Sequence, residues 1–271
     1  MSDSNPMRPK LESSPPSPLG SVDLTTERWL SFRRERPAAR LRLFCLPFAG
    51  GGARTYRHWS TLMPPDVEVC PIQPPGRENR IMEPPLSSAE ALVEALDSAL
   101  APLLDLPFAL LGYSMGATVA FEWAQRLRRL HGRGPELLVV AASPAPGAPQ
   151  LTPRMFDLPD EAFKAQLHEL AGTAPEVLAS DELMEILLPL LRADFEIHDT
   201  YEPTTLDPLD CPVVAFGGRD DRTVPEAHLN SWREVTTGAF EAHVLPGDHF
   251  SPLHDDRFPD HVARILRTLP L

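Results

Sequence analysis

Residues 108–131 hold the feature that most limits what this chain can fold into. Phe108-Ala-Leu-Leu111 is an apolar run of strand length, and it stops at Gly112-Tyr-Ser-Met-Gly116. From Ala117 onward Val119, Trp123 and Leu127 share one helical face. A buried strand must therefore turn sharply into a helix with Ser114 at the turn. Glycines at 112 and 116 suit that turn, because a Cβ at either would press on neighbouring backbone. The new helix also points unpaired N–H groups toward the serine.

Other strands can be placed around this one. Arg40–Leu46, Val67–Ile72, Glu136–Ala142, Pro212–Phe216 and Ala239–Leu245 are strand-like, and helical patterns fall between several of them. The Ser87-Ser-Ala-Glu90 capping box opens one such helix, carrying Leu92, Val93, Leu96 and Leu100. Alternation of this kind predicts an α/β fold, with a mainly parallel central sheet flanked by helices and ligands at the carboxyl ends of its strands. Residues 144–208 break the rhythm. They hold two helical patterns, about 160–171 and 181–201, with Pro189 set to kink the second. This stretch reads as a helical lid inserted over the site, and its apolar side chains either all bury against the core or in part line an acyl pocket. Residues 25–271 then form one domain. Residues 1–24, rich in proline and serine, read as a disordered tail.

A serine needs a base, and the loops after the strands offer one. Gly217-Gly-Arg-Asp-Asp221 follows one strand, and Pro246-Gly-Asp-His249 follows the last. Ser, Asp, His is the chain order of α/β-hydrolases. His249 is the candidate base, with His254 second. The acid is Asp221 or Asp220, with Asp221 preferred for its spacing before Val224. After the first strand, Pro47-Phe-Ala-Gly-Gly-Gly52 lets backbone approach a ligand. There the N–H of Ala49, beside that of Met115, is placed to hold an oxyanion. No Gly-Lys-Ser/Thr follows, so a phosphate loop is not expected.

Composition narrows the partners. A formal charge of −13 argues against nucleic acid. No apolar run approaches the roughly 18 residues of a membrane span, and the N-terminal residues have no apolar signal core, so a cytoplasmic protein is expected. Cys45, Cys70 and Cys211 sit in apolar stretches without metal-ligand spacing, as small hydrophobes in a reducing compartment. No cofactor or metal is expected.

Four segments together carry a resemblance: Phe44-Cys-Leu-Pro-Phe-Ala-Gly-Gly51, the Gly-Tyr-Ser-Met-Gly turn, Leu188-Pro-Leu-Leu-Arg-Ala-Asp-Phe195 and Gly247-Asp-His-Phe250. From Thr25 to the C-terminus the chain resembles the type II, or editing, thioesterases of polyketide and nonribosomal peptide pathways, members of the α/β-hydrolase superfamily. The resemblance implies hydrolysis of acyl groups from the phosphopantetheine arm of an acyl or peptidyl carrier protein, to clear aberrant or stalled chains. It implies Ser114, Asp221 and His249 as the triad. A monomer is expected, although nothing in the sequence gives the oligomeric state. Where the family often has His, this chain has Phe48, which implies an altered pocket. Carrier proteins are usually acidic, so basic groups are needed to meet one. Arg54 with Arg57, Arg77 with Arg80, or Arg126 with Arg128 and Arg129 could serve, or could be ordinary solvated arginines.

Two rival readings remain at this point. One is a general small-ester hydrolase or a chain-releasing thioesterase on the same fold. The other is a non-catalytic carrier-protein binder.

Overall fold

The computed structural model describes residues 24–170 and 172–270. The tail read over residues 1–24 lies outside the described residues except for Leu24. Six strands form one sheet: β1 Leu41–Leu46, β2 Val67–Pro71, β3 Phe108–Tyr113, β4 Leu137–Ala141, β5 Val213–Gly218 and β6 Phe240–Leu245. Their spatial order is β2-β1-β3-β4-β5-β6, and every neighbouring pair is parallel. The chain leaves β1 toward one edge and returns to its other side at β3. The strand order therefore switches between β1 and β3, where a crevice opens at the carboxyl ends of the strands.

The central strands β3, β4 and β5 are apolar and buried throughout because both faces are covered, whereas β1 and β2 carry the buried pair Arg42 and Glu68 and the edge strand β6 carries the exposed Glu241. Phe44, Leu46, Phe108, Leu110, Leu138 and Val140 face one side and join a core with α3 (Ala89–Leu100) and α4 (Met115–His131). Leu41, Leu43, Ala109, Leu111, Val139 and Phe216 face the other. They meet Trp59 of α2 (Trp59–Leu62) and Phe258, Val262 and Leu266 of α9 (Arg257–Thr268). The cap of α3 is Ser88, whose hydroxyl accepts the Ala91 N–H, one residue later than the Ser87–Glu90 capping box places it. Before the sheet, α1 (Leu24–Trp29) lays Trp29 on the α3 side.

Among the described residues the segment between β4 and β5 holds only helices: α5 Asp160–Leu170, α6 Pro175–Leu178 and α7 Asp181–Thr200. The short α6 has no counterpart in the sequence reading, and four residues give too little periodicity to reveal it. α7 runs on through Pro189 as one helix. Met155, Phe163, Leu167, Met184 and Leu191 pack into a small core separate from the two on the sheet. Leu183 and Ile186 are instead exposed. The last short helix, α8 (Glu226–Asn230), follows β5. Among the described residues no helix is long and apolar enough to cross a membrane.

Candidate active site

Ser114 sits between β3 and α4 at φ 51°, a left-handed value that a residue with a Cβ seldom adopts. Its N–H donates to Ala141 O at 2.8 Å, and its side chain makes no helix cap, so Oγ is left to face the crevice. The flanking glycines are sterically required. A Cβ on Gly112 would lie 2.2 Å from Gly116 O, and one on Gly116 would lie 2.4 Å from Leu46 O. The turn is thus wedged against the end of β1.

His249 reaches Ser114 from the loop after β6. Its Nε2 lies 3.2 Å from Ser114 Oγ, and its Nδ1 lies 2.7 Å from Asp221 Oδ2. Tyr113, the residue before the serine, donates its hydroxyl to His249 O and so ties the two loops together. Burial and the nearby carboxylates Asp221 and Asp248 push the Tyr113 phenol well up, which keeps it a neutral donor. The two loops also pack directly: a Cβ on Gly218 would meet Asp248 O at 2.1 Å. Asp248 itself folds the His249 turn, its Oδ1 accepting the N–H groups of Phe250 and Ser251.

Of the two candidate acids, the structure brings Asp221 to His249 and leaves Asp220 exposed. Asp221 Oδ1 accepts the Thr223 hydroxyl at 2.6 Å, the Thr223 N–H at 2.8 Å and the Val224 N–H at 3.2 Å. Burial acts to raise the Asp221 carboxyl. The hydrogen bond and charge of His249, then the Thr223 donors, outweigh it and hold the group below the ordinary carboxylate range. A carboxylate so held stays ionised and faces the imidazole with Oδ2. His254, the second candidate base, is exposed in the short turn before α9.

Ala49 and Met115 line the same crevice as Ser114. Among the described residues neither amide donates a backbone hydrogen bond to another segment. The cleft above them encloses about 860 Å³, part of it open to solvent. Met155, Leu167, Leu191 and Phe195 from the insertion form its apolar side. Phe48 packs edge-on to Phe250 with centroids 5.0 Å apart, so the aromatic ring at this position fills a corner of the cleft. Among the described residues no cluster of His, Cys, Asp and Glu could hold a metal ion.

The arginines need correction. Arg77 is buried and binds Asp194 of α7, while Arg80 is buried over the Trp29 ring and bound to Gln73 O and Glu83. Neither is free to meet a carrier. Arg126 pairs with Asp97 and Arg128 donates to Pro208 O, both at the end of α4 remote from Ser114. Only Arg54, Arg57 and Arg129 of that set are exposed. The sequence reading also passed over Thr223. Its place two residues after Asp221, with a hydroxyl to turn back on the carboxylate, was a usable signal.

The family described as thioesterase domain matches residues 41–269. Gramicidin S biosynthesis protein GrsT of Aneurinibacillus migulanus is 44% identical over 223 residues, covering 82% of this chain and 87% of GrsT. The structure of the type II thioesterase BorB from the borrelidin biosynthetic cluster superposes with a TM-score of 0.78 at 35% identity, covering 88% of this chain and 96% of that one. YbtT, the type II thioesterase of the yersiniabactin NRPS/PKS pathway, superposes with a TM-score of 0.74 at 31% identity, covering 88% and 96%. With its α/β-hydrolase sheet and helical insertion, the chain belongs to the thioesterase domain family and is a thioester hydrolase of the type II group found in polyketide and nonribosomal peptide pathways.

Proposed function

We propose that this enzyme hydrolyses acyl groups from the phosphopantetheine arm of a carrier protein through Ser114, His249 and Asp221. The observation that carries the reading is the 3.2 Å approach of His249 Nε2 to Ser114 Oγ at the floor of an apolar cleft. Ser114 Oγ attacks the thioester carbonyl carbon as His249 Nε2 takes its proton. The N–H groups of Ala49 and Met115 hold the oxyanion, each worth about 3 kcal/mol of transition-state stabilisation. Collapse expels the arm's thiolate, which takes the proton from His249. Water then gives His249 a proton and attacks the acyl-serine, releasing a carboxylic acid and restoring Ser114. Asp221 stays ionised throughout and stabilises the imidazolium.

The helical insertion over residues 144–208 acts as the lid of the acyl chamber within a domain that runs from about residue 25 onward. Every group in the scheme comes from one chain, so a monomer suffices. The three buried free cysteines suit a reducing cytoplasm. Arg54 and Arg57, exposed just beyond the 47–52 loop, are the remaining basic pair for an acidic carrier.

The test offers a series of acyl groups, each on a carrier protein and as a simple ester, to wild type and Ser114→Ala. Faster release from the carrier, abolished by the substitution, supports the proposal. Equal or better turnover of free esters would replace it with a general esterase.

A further inference from the structure

The strongest unexplained feature lies beside the reacting groups. Asp194 of α7 is fully buried, and its carboxylate joins three separate segments. Oδ2 accepts the Gly50 N–H at 2.7 Å, from the loop that carries Ala49. Arg77, on the loop after β2, donates to Oδ2 at 2.7 Å and to Oδ1 at 2.8 Å. The same Arg77 Nη1 donates to Gly51 O at 3.0 Å. The peptide units on either side of Gly50 and Gly51 are therefore held, one through its N–H and one through its C=O. Gly50 has φ 79°, and Leu191, one helical turn before Asp194, sits 2.7 Å from where a Gly50 Cβ would be. Glycine at position 50 both permits the left-handed turn and lets α7 close over the loop without a side chain between them.

We infer that Asp194 is a positioning residue for the oxyanion hole: seated α7 supplies the acceptor that fixes the 49–51 backbone, and so aims the Ala49 N–H. Asp194 touches no substrate in this scheme and acts through Gly50 and Arg77. The inference rests on the proposed role of Ala49. It also couples the insertion to the chemistry, because a lid helix lifted from the sheet takes its carboxylate away from the loop. A displacement of about 1 Å at such a donor can cost on the order of 10²-fold in rate.

The test compares wild type with Asp194→Asn, Asp194→Ala and Arg77→Lys, with Ser114→Ala as the control for the hydrolytic reading itself. Carrier-bound acyl substrate gives kcat and KM. An acyl trifluoromethyl ketone, which forms an oxyanion on Ser114, and a non-hydrolysable acyl thioether give inhibition constants. The expected result is kcat down about 100-fold in Asp194→Ala and about 10-fold in Asp194→Asn and Arg77→Lys, with KM held within about twofold. Ketone affinity should fall in step with kcat while thioether affinity stays constant. If kcat is unchanged in a folded Asp194→Asn, or if ketone and thioether weaken equally, the inference is overturned. Should Asp194→Ala not fold, Asp194→Asn and Arg77→Lys decide alone. Loss of activity in Ser114→Ala with wild-type turnover intact separates failure of this inference from failure of the mechanism beneath it.

Discussion

Thr223 gives its hydroxyl to Asp221 Oδ1 at 2.6 Å, which leaves Oδ2 to face His249. One carboxylate is thereby divided between a fixed anchor and a working contact. Replacing the hydroxyl with a methyl group removes a hydrogen bond to a charged group, at a cost of about 1.5 kcal/mol. Thr223→Val should lower kcat roughly tenfold and leave KM near wild type. Steady-state kinetics on a single acyl-carrier substrate decides it, and a KM-only effect would place Thr223 in substrate binding instead.

The adjacent aspartates should behave very differently. Asp221→Asn removes the negative charge 2.7 Å from His249 Nδ1 and, on the proposed mechanism, should cost about 10⁴-fold in kcat. Asp220→Asn changes an exposed side chain and should stay within about twofold. Equal losses in the two variants would mean that the carboxylates act as a pair.

Gly116 cannot accept a methyl group. Its Cβ would sit 2.4 Å from Leu46 O and 2.5 Å from Pro47 O, both backbone atoms that cannot swing aside. Gly116→Ala should destabilise the fold by about 3 kcal/mol or more, visible as a lowered denaturant midpoint. A midpoint matching wild type would show that β1 and the Ser114 turn can separate cheaply.

Leu170 lines the cleft from the end of α5 and is only partly buried, so it can take a larger ring. Leu170→Trp should shorten the chamber. Hydrolysis of long acyl groups should fall at least about fivefold relative to acetyl, roughly the loss of one good apolar contact. An unchanged chain-length profile on a carrier-bound series would move the acyl chain elsewhere.

Glu83 reports on the loop after β2. Its hydrogen bond to Arg80, then that to Arg28, outweighs burial and depresses its pKa from 4.5 to about 2. A depressed folded pKa contributes stability that is present above the unfolded value near 4.5 and is lost as pH falls toward about 2. The pair is partly exposed, so screening limits the effect to about 1 kcal/mol. Glu83→Gln should melt below wild type at pH 7, and the gap should close between pH 4.5 and 2. A gap constant with pH would assign the effect to packing.

Much of this was legible because α/β chains put their chemistry at strand ends. The strand before Ser114, the loop carrying Asp221 and the loop carrying His249 all announce themselves by apolar runs that break at glycines. What was not legible is tertiary. Arg77 looks like a surface arginine in a proline-rich loop, and nothing local says that its partner is Asp194, 117 positions away. Asp194 in turn reads as a polar residue on a helix, and only the close passage of α7 over Gly50 explains why it is buried. The spacing before Val224 already favoured Asp221 over Asp220, and the structure has Asp221 buried against His249 with its neighbour exposed.

The insertion's separate core has an evolutionary consequence. Because Met155, Phe163, Leu167 and Met184 pack on one another apart from the two cores on the sheet, their identities can drift together without disturbing the sheet. Descendants of this chain can therefore explore new cargo by recombining the segment between β4 and β5 as a cassette. Such a cassette would have to bring the side chains that bind it to the sheet side, Asp194 on Gly50 and Arg77, Tyr201 on Glu122 and Ile197 in the sheet's core.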